Sequence, residues 1–312
     1  MSRGAADEAR ASMGRRAFLK VGLAAGMAVA AGGQTSVLFG AAKPSVVVGS
    51  KNFTEQLICG QLVAALLENA GFAVDRKLRL GGTAICHEAL VSGNIDVYVE
   101  YTGTALTAIL KLPTQEDPAK VYDTVSRAYK SFFKAAWLRP WGFNDTYAIA
   151  MRKDTAGRLG VKSISDLKGK AESLTLGGTQ EFIVRPDGLP GLQKSYGITF
   201  KSARGMDFGL MYEAVAKGDV DAISSLSTDG RNITLDLALL QDDKHFFPPY
   251  YAAPVVRTDK LGRFPQIADA LNALAGKIDD KMMANLNLLV DQNKKDPGDV
   301  AKEFLRQVGL VK

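Results

Sequence analysis

Cysteine and histidine are scarce: among 312 residues there are two of each, Cys59 and Cys86, His87 and His245. They are too few ligands for a Cys/His zinc site, and two cysteines exclude a scaffold dense in disulfides. No P-loop, G-x-S-x-G elbow, H-E-x-x-H or G-x-G-x-x-G string occurs, so the common signatures of nucleotide, acyl, zinc-protease and dinucleotide chemistry are missing. Long apolar runs are also missing; the stretch Val21 to Ala31 is too short and too mildly apolar for a membrane span. Glycine is plentiful, 31 residues, but without a triplet period, which excludes a collagen-like chain. What is present is ordinary for a soluble globular protein: 46% hydrophobic and 23% charged residues, in a length that suits one large or two ordinary domains.

The formal net charge of +6 would suit a nucleic-acid binder, yet half of it, +3, lies in residues 1–42. That segment reads as an address. Arg15-Arg16-Ala17-Phe18-Leu19-Lys20 precedes the weakly apolar run, and Gly40-Ala41-Ala42 offers small residues before Lys43-Pro44. A basic stretch, a short apolar stretch and a small-residue exit make a signal peptide. The RRxFLK string resembles the twin-arginine export signal, with Gly14 in place of the usual Ser or Thr. The expectation is export to the periplasm, with no nucleic-acid partner.

From Pro44 onward the chain alternates strand and helix patterns. Ser45 to Gly49 is a β-branched run that reads as a buried strand, and Thr54 opens a helix that Gly71 stops. Phe72 to Leu80 alternates like a strand, Gly81-Gly82-Thr83 opens a second helix, and Ile95 to Val99 reads as a third strand. The grammar then repeats. Gly177-Gly178-Thr179 echoes Gly81-Gly82-Thr83, and Gly218-Asp219-Val220-Asp221 echoes Gly93-Asn94-Ile95-Asp96. Strands alternating with helices imply parallel sheets in an α/β fold, and the repeat implies two similar lobes. Helices are expected from Pro265 onward, with Asp279 and Pro297 near helix starts.

Ligand sites of such folds lie in loops at strand ends. The polar and aromatic residues there are Lys51-Asn52-Phe53-Thr54, Glu100 to Thr104, Asn144 to Tyr147, Glu181 to Gly188, Ser227 to Arg231 and Phe247 to Tyr251. Tyrosines beside fixed cations suit a ligand cationic at one end and anionic at the other. An aromatic face attracts a quaternary ammonium, which has no hydrogen to donate, and Lys or Arg attracts a carboxylate. His87, in a helix with no nucleophile motif near it, reads as structural.

The strings GSKNFTEQ, GGTAICHEAL, IDVYVEYTGT, GFNDTYAIAMRKD, IVRPDGLPGLQKSYG, STDGR and FFPPYYAAPVVR follow one another across residues 49–257. Together they resemble the glycine betaine/choline/quaternary-amine substrate-binding proteins of osmoprotectant ABC transporters, and the similarity continues into the C-terminal helices. The resemblance implies a non-enzymatic, two-lobe periplasmic-binding-protein fold of type II that closes by a hinge. Lobe 1 would comprise residues 43–148 and 251–312 and lobe 2 residues 149–250, with crossings near 147–151 and 247–256. It also implies a monomer that delivers its ligand to membrane permease and ATPase subunits, without cofactor or metal.

Carried over residue by residue, Tyr101, Tyr147 and Tyr250 would cage the ammonium beside Asp145. Lys51, Arg185 and the Thr104 hydroxyl would hold a carboxylate. Leu226 stands where the family usually has an aromatic, and a cage short of one wall would bind a quaternary ammonium roughly 0.5–2 kcal/mol more weakly. Other readings are an amino-acid ligand, a binding lobe that signals to a receptor, and an exported α/β enzyme, the last without a nucleophile–base pair. The two cysteines, 27 positions apart in neighbouring helices, are expected to be buried free thiols.

Overall fold

The computed structural model describes residues 43–312, so the export segment read in residues 1–42 lies outside the described residues. Ten strands form two five-stranded sheets. In chain order they are β1 (Ser45–Gly49), β2 (Ala73–Lys77), β3 (Val97–Tyr101), β4 (Ala135–Trp137), β5 (Tyr147–Arg152), β6 (Thr175–Gly178), β7 (Ser202–Gly205), β8 (Ala222–Leu226), β9 (Leu237–Leu240) and β10 (Ala252–Arg257). The first sheet runs β2-β1-β3-β10-β4 and the second β7-β6-β8-β5-β9. In the first, β1 is parallel to β2 and β3 while β10 is antiparallel to β3 and β4. The second repeats this arrangement: β6 is parallel to β7 and β8, and β5 is antiparallel to β8 and β9. The repeat read in the sequence is therefore a repeat of sheet topology.

The echoed Gly-rich turns explain part of the match. Asp96 accepts a hydrogen bond from the Val47 amide at 2.8 Å, and Asp221 accepts one from the Thr175 amide, also at 2.8 Å. In each sheet the last aspartate of the motif satisfies an amide of the neighbouring parallel strand.

Alternation along the strands sends side chains to two cores. Val46, Val48, Val97, Val99 and Tyr101 face one core, where helix α1 (Thr54–Asn69) and the C-terminal helices Gln266–Asn272, Asp280–Asp291 and Pro297–Gln307 pack. Tyr98, Ala253 and Val255 face the other, with helix α2 (Thr83–Val91) and the helix Pro118–Phe132. Asp279 and Asp296 cap the last two helices, and Pro297 occupies the first turn, where no amide is needed.

Three details differ from the sequence reading. The third strand starts and ends two residues later than expected, at Val97–Tyr101, so Glu100 and Tyr101 belong to the strand and not to the loop after it. Residues Tyr147 to Met151 lie inside β5; the chain passes between the sheets over residues 138–146 and again over 241–251. These two passages run side by side, joined by an antiparallel bridge between Asn144 and Tyr251 and by the Asp145 amide donating to the Tyr250 carbonyl at 3.2 Å. Finally, the amphipathic helix Pro118–Phe132 was not anticipated; only Val121, Val125 and Tyr129 of it are buried.

Both thiols are buried and unpaired. Cys59 on α1 belongs to one core and Cys86 on α2 to the other, so the first sheet stands between them. Burial pushes the Cys86 thiol up to about 12, and burial with the nearby Glu55 and Asp145 charges pushes Cys59 well above its ordinary value. Neither thiol forms the reactive thiolate at neutral pH. Unreduced protein should therefore show no thiol reactive to a disulfide reagent while folded and two per chain once denatured; finding none after denaturation would require a bridge that this fold cannot make.

Candidate functional site

The loops at the carboxyl ends of the parallel strands of both sheets enclose a cavity of about 890 Å³. All eight residues singled out in the sequence line it: Lys51, Tyr101, Thr104, Asp145, Tyr147, Arg185, Leu226 and Tyr250. Lys51 follows β1, Tyr101 ends β3, Tyr147 begins β5 and Leu226 ends β8, while Asp145 and Tyr250 come from the two paired passages between the sheets. The Tyr147 and Tyr250 rings meet edge to face, with centroids 5.7 Å apart. Tyr250 can press in because residue 103 is glycine: a Cβ there would lie 2.8 Å from the Tyr250 ring and from the Pro249 carbonyl.

Two further aromatics on the wall were not singled out. Phe53, the residue before α1, and Phe208, which opens the helix Phe208–Lys217, pack 5.3 Å apart and both line the cavity. Both also border the small recess beside Leu226, so two half-buried phenylalanines stand next to that residue. Leu226 itself pairs in register with Tyr147 across β8 and β5. Nothing in the sequence links Phe208 to Leu226, which are 18 positions apart; only the arrangement of the second sheet joins them.

The two cations expected to clamp a carboxylate are already paired. Lys51 Nζ lies 2.6 Å from Glu100 Oε1 and 3.1 Å from the Thr83 hydroxyl, and Lys51 and Glu100 are both buried. Glu100 also accepts from the Tyr101 amide at 2.7 Å and from the Tyr98 hydroxyl at 3.2 Å. Arg185 grips Asp187 through Nε at 2.9 Å and Nη2 at 2.5 Å, and reaches the Thr104 hydroxyl at 3.4 Å. The Tyr250 hydroxyl donates to Asp187 at 2.7 Å. Burial opposes ionisation of Asp187, but the Arg185 hydrogen bonds and charge outweigh it and hold the carboxyl below its ordinary value.

Asp145 is different. It is buried, and among the described residues no lysine or arginine pairs with it or with the buried Glu55 beside it. Thr228 Oγ1 stands 2.7 Å from Asp145 Oδ1 and 2.5 Å from Glu55 Oε2. A hydroxyl has one hydrogen, so it donates to one carboxylate only; the other contact is a hydrogen bond if that carboxyl is protonated. Glu55 also accepts from the Tyr101 hydroxyl at 2.7 Å and from Asn287 at 3.0 Å. Burial raises both acids, and for Asp145 the Glu55 charge adds to the rise. Both effects favour the protonated form of an acid in this pair.

The class defined by this fold and cleft is a binding protein with two α/β lobes around a ligand cavity. Over residues 44–307 the chain matches the family described as the substrate binding domain of ABC-type glycine betaine transport system (OpuAC), and it belongs to that family. It is 36% identical over 267 residues to the ergothioneine transport permease/ergothioneine binding protein EgtU of Helicobacter pylori, covering 85% of this chain and 48% of that protein. The chain thus spans about half the length of that relative. It is 34% identical over 273 residues to the carnitine transport binding protein OpuCC of Listeria monocytogenes, covering 86% of this chain and 89% of that protein. A crystal structure of a glycine betaine/carnitine/choline ABC transporter superposes with a TM-score of 0.71 at 33% identity, over 85% of this chain and 99% of that one. The chain accordingly has the two-lobe periplasmic-binding-protein fold of that family.

Two predictions follow from the charges. Lys51→Met should destabilise the fold by about 3–5 kcal/mol, because it strands Glu100 without a partner. The Lys51→Met/Glu100→Gln double variant should recover most of that loss in denaturant unfolding. The Asp145–Glu55 pair makes binding of a cation pH-dependent. The folded pair binds a proton more tightly than the unfolded chain, so its contribution to stability is full below about pH 4 and is lost as pH rises through the raised value. A cation beside Asp145 favours the ionised form and expels the proton. Affinity for a permanently charged ligand should therefore climb by up to about tenfold per pH unit from about pH 4 until the free pair is ionised. Calorimetric titration across pH checks this, and Asp145→Asn should flatten the profile.

Proposed function

We propose that the cleft binds a small quaternary amine of the betaine, choline or carnitine class, and that the protein passes it to the permease and ATPase subunits of an importer. The carrying observation is Asp145, one of two neighbouring buried acids with no lysine or arginine partner among the described residues, which lines the same cavity as Tyr101, Tyr147 and Tyr250. Aromatic faces and one uncompensated acid suit a cation that cannot donate hydrogen bonds. In this reading Tyr101, Tyr147 and Tyr250 form the cage, Phe53 and Phe208 extend it beside Leu226, and Lys51, Arg185 and Thr104 face the far end of the ligand. The cavity of about 890 Å³ lies within the roughly 300–1,000 Å³ of sites that hold small ligands.

The lobes, residues 43–148 with 251–312 and residues 149–250, would close about the two paired passages near Asp145 and Tyr250. The chain would work as an exported periplasmic monomer, without cofactor and without catalysing a reaction. The leader read in residues 1–42 supports that location.

Isothermal titration with choline, glycine betaine, carnitine and the neutral tert-butyl isostere of choline tests the reading. At least one quaternary amine should bind, and the isostere should bind at least about tenfold more weakly than choline because it lacks the charge. Phe208→Ala should weaken the amine by about 0.5–2 kcal/mol through loss of one aromatic face. An isostere that binds as well as choline would show a merely apolar pocket.

A further inference from the structure

Resting on the quaternary-amine reading, we propose that Glu181 is a specificity-determining residue. It is a resident carboxylate in the cleft that selects against ligands carrying a carboxylate of their own and favours those whose second end is neutral or a hydrogen-bond donor.

Glu181 sits on the short helix Gln180–Val184 of the second half of the molecule, yet its carboxylate is spent on the first. Its Oε1 accepts from the Thr83 amide at 2.7 Å and its Oε2 from the Thr83 hydroxyl at 3.3 Å. On its own side, Oε2 lies 3.7 Å from Arg185 Nη1. The seat is shaped for it: a Cβ at Gly82 would fall 2.1 Å from Glu181 Oε1, so any other residue there would push the carboxylate out. Thr83 in turn accepts from Lys51 Nζ at 3.1 Å, and Glu181, Thr83, Lys51 and Arg185 all line the cavity.

The consequence is a matter of charge. Lys51 and Arg185 are the cations a ligand carboxylate would seek, but Lys51 is neutralised by Glu100 and Arg185 by Asp187. Glu181 adds an acid beside these two pairs, takes up the Thr83 donors and lies against the outer edge of the Arg185 guanidinium. Of the other cations on the wall, Arg231 is paired with Asp229 and Asp291, and Arg79 stands on the exposed rim. A carboxylate entering this end must displace Glu181 or face it, and like charges so placed are disfavoured. A hydroxyl or an N–H arm has the opposite experience, since Glu181 can accept from it. The Glu181 side chain is 39% exposed, so it has room to swing out; the discrimination is graded, not absolute.

Choline and glycine betaine carry the same trimethylammonium head and differ at the second end, so their ratio isolates this effect. Titration calorimetry on wild type, Glu181→Gln and Glu181→Ala should show betaine tightening relative to choline by at least about tenfold in both variants. Glutamine preserves the shape and an oxygen for the Thr83 amide; alanine removes the latch altogether, so either variant that folds carries the test. An unchanged betaine-to-choline ratio, with both ligands still bound, or an equal loss for both, would overturn the role of Glu181 and reduce it to a bridge between the halves. Binding of neither amine by wild type would instead overturn the quaternary-amine reading on which this one stands.

Discussion

Buried charge is tolerable only when it is paired, and the cleft is organised around which acids have partners and which do not. Lys51–Glu100 fixes the wall contributed by the first sheet, and Arg185–Asp187 fixes the wall contributed by the second. Each pair also holds a tyrosine of the cavity wall: Glu100 accepts from the Tyr101 amide, and Asp187 accepts from the Tyr250 hydroxyl. The aromatic surfaces are thus held by hydrogen bonds to acids that are themselves neutralised. The acids left without a lysine or arginine among the described residues, Asp145 and Glu55, are bridged by the Thr228 hydroxyl.

This distribution also separates two tasks that the residue types alone would merge. A lysine or arginine at a cavity wall reads as an anion receptor. Here both cations are already paired, Lys51 with Glu100 and Arg185 with Asp187. Such pairs add little to stability over a well-packed apolar substitute, but breaking one leaves a stranded charge. Recognition at the far end of the cleft is then governed by the donors and acceptors that remain, chiefly Thr83, Thr104 and Glu181.

The two halves meet through polar bridges and not only through the chain passages. Glu55 on α1 reaches Thr228 after β8, and Asn287 on a C-terminal helix reaches Glu55, so one buried network runs from the C-terminal helices through the first lobe to the second. Thr83 with Glu181 and Thr104 with Arg185 repeat the theme on the opposite side of the cavity. Hydrogen bonds of this kind are individually modest, about 0.5–1.5 kcal/mol.

Much of this was set by local chemistry and could be read directly. The β-branched run at Val46 to Val48, the Gly-rich turns and the Gly-x-x-Asp echoes specify parallel strands and helix starts whatever the rest of the chain does, and the aromatic and polar loop residues fall at strand ends where a cleft must lie. The motifs carried Lys51, Tyr101, Thr104, Asp145, Tyr147, Arg185, Leu226 and Tyr250 to one place. Pairing is another matter. That Lys51 meets Glu100 rather than facing an empty subsite, that Thr228 bridges Glu55 and Asp145 over 173 and 83 positions, and that Phe208 stands beside Leu226 all depend on how two sheets are set against each other. Sequence fixes which groups a chain carries and the pattern in which short stretches repeat; charge compensation acts through space over a few ångströms, so only the tertiary structure decides which charge is left for a ligand.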